Sequence, residues 1–286
     1  MSESTDAAPP EAYPFSKPEG LLAHYTKAST AFEDILPGRL RLSPYRLMRD
    51  PAENKDIEPN IVTRHGDSAI AEAWALIKAE RDRRRVLSLT RDADNGGEFP
   101  RFDCCWARPR MWEQYGDNHR GACLLFDPMR LKRAIREQWP DERTRHLDNV
   151  EYRRQGSAEV YQRTVIADQI LSDAQPPSAA ADYINANRDA YFFLKSDDFA
   201  TEWEYRVVLA TDHTSDDADE RHKSAHCNER DDYAYLDYRD SLVGVVLGER
   251  VPPWQWPGAV EACSRINVKP GRMEWRNGRP RVFPVR

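Results

Sequence analysis

The chain has 286 residues, 40% hydrophobic and 31% charged, with a formal charge of −6. That balance suits a folded chain with a heavily solvated surface, and it gives no general field drawing phosphate backbones. Nucleic-acid affinity would need a local basic patch, such as Arg81, Arg83, Arg84 and Arg85, which otherwise reads as a solvated helix end. Five cysteines, at 104, 105, 123, 227 and 263, lack paired zinc or disulfide spacing and read as reduced, mostly buried thiols.

The N-terminal segment is acidic and proline-bearing, without the basic and apolar regions of a secretory signal, and no apolar run approaches membrane-spanning length. A cytoplasmic protein with no membrane partner is expected. Residues 1–19, with Pro9, Pro10, Pro14 and Pro18, read as a flexible lead-in, and residues 20–286 as a single α+β domain.

In chain order, His24-Tyr25-Thr26 reads as the approach to a helix over Ser29 to Leu36. A Pro37-Gly38 break follows, then a half-buried strand over Arg39 to Ser43, where charge alternates with leucine. Ala69 to Arg85 has a strong helix composition and leads into a buried strand, Val86 to Thr90, and then a loop over Asp92 to Glu98. Ala122 to Phe126 predicts a strand ending at Asp127-Pro128, where Asp caps and Pro opens a helix to about Trp139. Val150 to Tyr152 is a short strand, Tyr161–Leu171 and Ala179–Leu194 are helical by composition, and Tyr205–Leu209 is a strand. Asp212 to Asp232 is an acidic, histidine-bearing loop. Leu242 to Gly248 reads as a buried strand, and Asn277-Gly278 marks a hairpin within Met273–Val285.

The best candidate for chemistry is Glu202-Trp203-Glu204-Tyr205-Arg206. If the strand begins early, period two puts Glu202, Glu204 and Arg206 on one face, two carboxylates beside a guanidinium. One carboxylate could stay ionised and steady a developing cation; the alternative is an edge strand wearing surface charge. His24 and Thr26 could bond a ligand at a helix start, or His24 could be structural. Met111 to Gly121 has the composition of a binding loop on a rigid scaffold or of a hydrogen-bonded turn with anchoring aromatics. His222, His226 and Cys227 make no convincing metal site, and no Gly-rich phosphate loop or nucleophile elbow is present.

Taken together, His24-Tyr25-Thr26, Leu40-Arg41-Leu42-Ser43 with Arg49-Asp50-Pro51-Ala52-Glu53, Trp112-Glu113-Gln114-Tyr115 through Gly121, and Val150-Glu151-Tyr152 resemble a widespread prokaryotic family of unknown function. Lys195-Ser196, Glu202 to Arg206 and Val245 to Gly248 continue the same ordered pattern. The chain departs from it at Arg49, where Asn is usual, and at Leu87-Ser88-Leu89-Thr90, where a Ser-Phe-Ser-like strand is usual. The family pattern in turn resembles, distantly, the ADP-ribosyltransferase superfamily, with its DNA-targeting toxins the nearest comparison.

That resemblance implies an ADP-ribosyltransferase-like split mixed or antiparallel sheet with flanking helices, and NAD as substrate. His24 would bond a ribose hydroxyl and share in catalysis, Thr26 and Arg41 would help hold the adenosine or pyrophosphate portion, Tyr45 or Tyr115 would stack on nicotinamide, and Tyr25, Ser43, Trp112 and Arg206 would complete the cofactor site. Glu204 would be the late catalytic glutamate and Glu202 would orient or deprotonate the acceptor, a protein or nucleic acid. A toxin or phage-defence role, with an antitoxin or regulatory partner, goes with this reading. Two other classes stay open: a ligand-sensing module using Trp112 to Arg120, and a metal-dependent nuclease using Asp50, Glu53, Glu202 and Glu204.

Overall fold

The computed structural model describes residues 20–48, 60–93, 104–154, 164–211 and 233–285. The expectations for the lead-in 1–19, for Arg49 to Glu53, for 94–98, and for the acidic loop 212–232 with Cys227 lie outside these residues.

Elements run β1 (Leu22–Thr26), β2 (Arg39–Pro44), β3 (Asn60–Val62), α1 (Asp67–Asp82), β4 (Arg84–Arg91), α2 (Pro109–Gln114), β5 (Ala122–Phe126) and α3 (Pro128–Gln138). Then come β6 (Arg145–Asn149), β7 (Glu151–Arg153), β8 (Thr164–Ile166), α4 (Ala167–Leu171), α5 (Pro176–Ala186), α6 (Arg188–Phe192), β9 (Leu194–Ser196) and β10 (Glu204–Ala210). The chain closes with β11 (Ala234–Asp237), β12 (Leu242–Leu247), α7 (Trp256–Arg265), β13 (Pro270–Arg276) and β14 (Arg279–Pro284). The protein is mixed α+β, with parallel and antiparallel strand pairs and flanking helices. No helix among the described residues is long and apolar enough to cross a membrane.

The chain packs as two compact units, and β4 passes from one into the other at Ser88–Leu89. The first unit comprises 1–39, 89–134 and 237–286. Within it β1 lies antiparallel between the end of β4 and β5, β5 pairs antiparallel with β12, β12 parallel with β13, and β13 antiparallel with β14. Ala122 to Phe126 is buried at every position, which is why β5 reads as an unbroken apolar run. Trp112 is fully buried; its indole Nε1 donates to the Trp106 carbonyl at 2.8 Å and Tyr25 packs edge-on to it at 5.1 Å.

The loop ahead of β5 closes on bare backbone. A side chain at Gly121 would overlap the Thr26 carbonyl oxygen, and one at Gly248 the His119 carbonyl oxygen. Gly121→Ala should therefore lower the unfolding free energy by about 1–3 kcal/mol, read in a denaturant titration, because backbone rather than a flexible tip must move.

The second unit comprises 40–88 and 135–236. β11 neighbours β2, β2 pairs antiparallel with β4, β10 lies between β4 and β6, and β10 and β6 are antiparallel. Two short parallel pairs, β3 with β8 and β7 with β9, stand apart from this sheet. Helices α1 and α5 pack Ile77, Ala180 and Ile184 against Tyr45, Val86, Phe192 and Val208 in one buried cluster.

Several expectations need correcting. His24 to Thr26 leads into the expected helix, at Thr30–Ile35, but is itself the end of strand β1. The helix expected over Tyr161–Leu171 is, where described, strand Thr164–Ile166 followed by one helical turn, since Thr, Val and Ile are β-branched and pair with β3. The helix expected over Ala179–Leu194 starts earlier, at Pro176 and Pro177, breaks at Asn187, and yields to strand β9 at Leu194.

The arginine run is not a solvated helix end: Arg81, Arg84 and Arg85 are buried. The Arg84 guanidinium donates to Glu80 at 2.8 Å and to Asn185 at 3.1 Å, and Asn185 also meets His146 Nε2 at 3.0 Å. These groups bind the helix end to its own unit and leave little charge for a phosphate.

Burial lowers the His146 pKa, the Asn185 bond opposes this, and the Arg84 and Arg188 charges lower it further. A depressed imidazole binds fewer protons folded than unfolded below its ordinary value near 6.5, so stability should fall as pH drops below about 6.5. His146→Gln should flatten that part of the stability–pH curve in denaturant titrations.

Candidate functional site

The site sits on the second unit, around β10. Glu204 opens that strand and Arg206 shares its face, two residues on. Arg206 is 0% exposed; its Nε donates to Glu204 Oε1 at 2.8 Å, its Nη2 to Oε2 at 2.8 Å, and its Nη1 to the Phe192 carbonyl at 2.6 Å. This is a bidentate fork, the arrangement in which arginine and lysine are not interchangeable.

Glu202 reaches the same place by another route. It ends a 3-10 turn over Asp197–Glu202, and Trp203 between the two glutamates takes a left-handed conformation at φ 47°. The strand therefore begins at Glu204, not early, and the αL residue replaces the extended alternation expected there. Ser196 caps the turn by accepting the Asp198 N–H.

Lys195, on β9, joins the two carboxylates: its Nζ donates to Glu202 Oε2 at 2.8 Å and to Glu204 Oε2 at 3.3 Å. Lys195, Glu202, Glu204 and Arg206 are all buried, and their formal charges cancel. Two further groups complete the arrangement. The Glu204 N–H donates to the Tyr152 hydroxyl at 2.8 Å, and Ser88 of β4, itself exposed, hydrogen-bonds the Glu204 carboxylate.

Burial alone would push the Glu204 pKa up. The neighbouring Arg206 and Lys195 charges, with hydrogen bonds from Arg206 and Ser88, outweigh it and hold the carboxyl at about 2. Burial and the surrounding carboxylates push Tyr152 up to about 12. Between the ordinary glutamate value near 4.5 and about 2, the unfolded chain binds the proton that folded Glu204 refuses. Stability should therefore be lost as pH falls from about 4.5 to about 2, and Glu204→Gln should remove that acid-side slope in pH-dependent unfolding experiments.

The remaining expected site residues scatter by environment. On the first unit, His24 is half-buried on β1, Tyr25 is buried with its hydroxyl donating to the Cys105 carbonyl, Thr26 and Tyr115 are half-buried, and Trp112 is in the core. On the second, Arg41 is exposed over the Tyr233 ring at 4.4 Å, Ser43 pairs with Val86, and Tyr45 is buried with its hydroxyl on the Tyr191 carbonyl. The structure gathers Glu202, Glu204 and Arg206 into one cluster. It adds Lys195, Ser88 and Tyr152, whose positions in the chain alone imply no role at Glu204.

Asp50 and Glu53 lie outside the described residues, and no group of three or more His, Cys, Asp or Glu among the described residues is placed to hold a metal ion.

Fold and site together define a mixed α+β protein whose second unit holds a charge-balanced, buried carboxylate centre. Residues 111–207, about a third of the chain, match the model of a family described as a protein of unknown function, DUF2971. The matched stretch contains Lys195, Glu202, Glu204 and Arg206. No match to the chain was found among curated proteins or among solved structures.

Proposed function

We propose that the protein consumes NAD, as an ADP-ribosyltransferase or NAD glycohydrolase, with Glu204 as the carboxylate that steadies the reacting ribose. The observation that carries this reading is a buried glutamate clamped in its charged form by Arg206 and Lys195 and hydrogen-bonded to the exposed Ser88 hydroxyl. A fixed negative charge suits an oxocarbenium-like transition state, because no dipole need reorganise as the cation forms.

In the proposed reaction the bond between ribose C1′ and nicotinamide nitrogen breaks, its electron pair leaving with nicotinamide. The acceptor oxygen or nitrogen then attacks C1′, and Glu202 takes its proton. Water as acceptor gives hydrolysis; a protein or nucleic acid gives transfer. Ser88 would meet a ribose hydroxyl at the exposed edge of the centre.

The test is incubation with NAD while free nicotinamide is followed, for the wild type and for Glu204→Gln. Release by the wild type that disappears in the variant supports the proposal, and equal release by both would sink it.

A second reading, an interaction module in which the glutamates are structural ion pairs, draws support from Glu204 having both oxygens engaged by Arg206 and Lys195. Under it the wild type releases no nicotinamide, and Glu204→Gln changes only stability.

A further inference from the structure

The chain is acidic overall, yet its last segment is not. From Lys269 to Arg281 it carries Lys269, Arg272, Arg276, Arg279 and Arg281 against the single acid Glu274. The β13–β14 hairpin organises these charges. Its turn, Asn277-Gly278, has φ of 52° and 71°, the doubly left-handed geometry that matches the twist of the flanking strands.

Register then decides which side chains share a face. Arg272 pairs with Phe283, Glu274 with Arg281 and Arg276 with Arg279, so four guanidinium groups, one carboxylate and one aromatic ring lie on one face. The opposite face carries Met273, Trp275, Pro280 and Val282, and Met273 is in the core of its unit.

Two of the arginines are pre-set by aromatic rings. The Arg272 guanidinium lies 4.6 Å from the Trp256 ring centre, and that of Arg276 4.4 Å from the ring centre of Phe283. Both also pair with Glu274, which spends its one charge on them. Arg279 is exposed and makes no hydrogen bond or ion pair with the described residues; Arg281 Nε is buried and has no hydrogen-bond partner among them. Two residues before Trp256, Trp254 stands 75% exposed, the most exposed large hydrophobic side chain among the described residues.

A polyanion complements an excess of three positive charges along a two-stranded ribbon, and Trp254, two residues before the Trp256 ring that Arg272 lies over, offers an exposed indole to an unpaired base. We propose that this hairpin face, with Trp254, binds single-stranded nucleic acid, the phosphates on Arg276, Arg279 and Arg281 and a base on Trp254. β14 ends the sheet, and Pro280 and Pro284 deny backbone donors to an added strand, so its edge is not the recognition element. The surface lies on the first unit and does not depend on the glutamate centre or on NAD chemistry.

The experiment is fluorescence anisotropy with an end-labelled, mixed-sequence 20-nucleotide single-stranded DNA, titrated with the full chain at several salt concentrations. Neutralising about three phosphates predicts a slope of about −2 in log affinity against log salt. Arg279→Glu with Arg281→Glu should weaken binding at least about tenfold and flatten that slope. Trp254→Ala should weaken single-stranded binding about tenfold while leaving the slope in place. The thermal midpoint of each variant is measured beside it, and exposed Arg279 and Trp254 can also be tested singly should the double variant fail to fold. Unchanged affinity in folded Arg279→Glu, no binding at low salt, or a duplex bound as tightly with no sensitivity to Trp254→Ala would each overturn the proposal.

Discussion

Replacing Arg206 by methionine should lower the unfolding free energy by about 3–5 kcal/mol, because it leaves a buried carboxylate without its principal partner. Arg206 is wholly enclosed, and both Glu204 oxygens as well as the Phe192 carbonyl depend on it. The Glu204 pKa should rise, since the largest force holding it down against burial would be gone. Chemical denaturation at neutral pH measures the loss. Arg206→Lys should recover only part of it, since an ammonium cannot reproduce the two parallel bonds. If both variants unfold at the wild-type denaturant midpoint, the buried network is not holding the strand.

Glu204→Gln is expected to reduce nicotinamide release by about 10²–10³, the range typical of removing one preorganised electrostatic contact from a transition state. The same change disturbs the ion network, so the rate must be read with stability beside it. An amide cannot supply the charge but keeps the size, so a folded Glu204→Gln protein isolates charge from shape. Lys195→Met provides the companion measurement. It frees both glutamates of one shared cation and should destabilise the fold, whether or not NAD is the substrate. A Glu204→Gln protein with intact turnover removes the transferase reading; one with no turnover and only a small shift in stability supports it.

How far the sequence disclosed this centre can be followed residue by residue. The apolar run of β5, the capping Asp127 that accepts the Met129 and Arg130 N–H groups, and the Asn-Gly hairpin were all legible, because each is decided by neighbours in the chain. The segment around Glu204 was legible as charge beside an apolar strand. Its burial was not, because Lys195 and Tyr152 arrive from other elements. Arg81 to Arg85 misled for the same reason: composition reads them as surface, and Glu80 and Asn185 draw Arg84 inside. Thr164–Ile166 and Leu194 read as helix because the composition around them favours one, and the β3 and β7 partners that draw them into strands lie far off in the chain. The basic hairpin face needed register, since alternation along one strand cannot say which charges of the next lie beside it.

The thiols have a practical consequence. Cys104, Cys105, Cys123 and Cys263 form no disulfide among the described residues and belong to the first unit, and all but Cys104 are buried. Burial pushes Cys105 and Cys123 well up and Cys263 to about 12, so at neutral pH these three present almost no thiolate while the unit stays closed. A maleimide or disulfide reagent added to the native protein should modify Cys104 ahead of them, and each later modification would mark an opening of the packing around β5 and α7. Labelling kinetics resolved by peptide mass would thus time the breathing of one unit from inside, with no introduced probe.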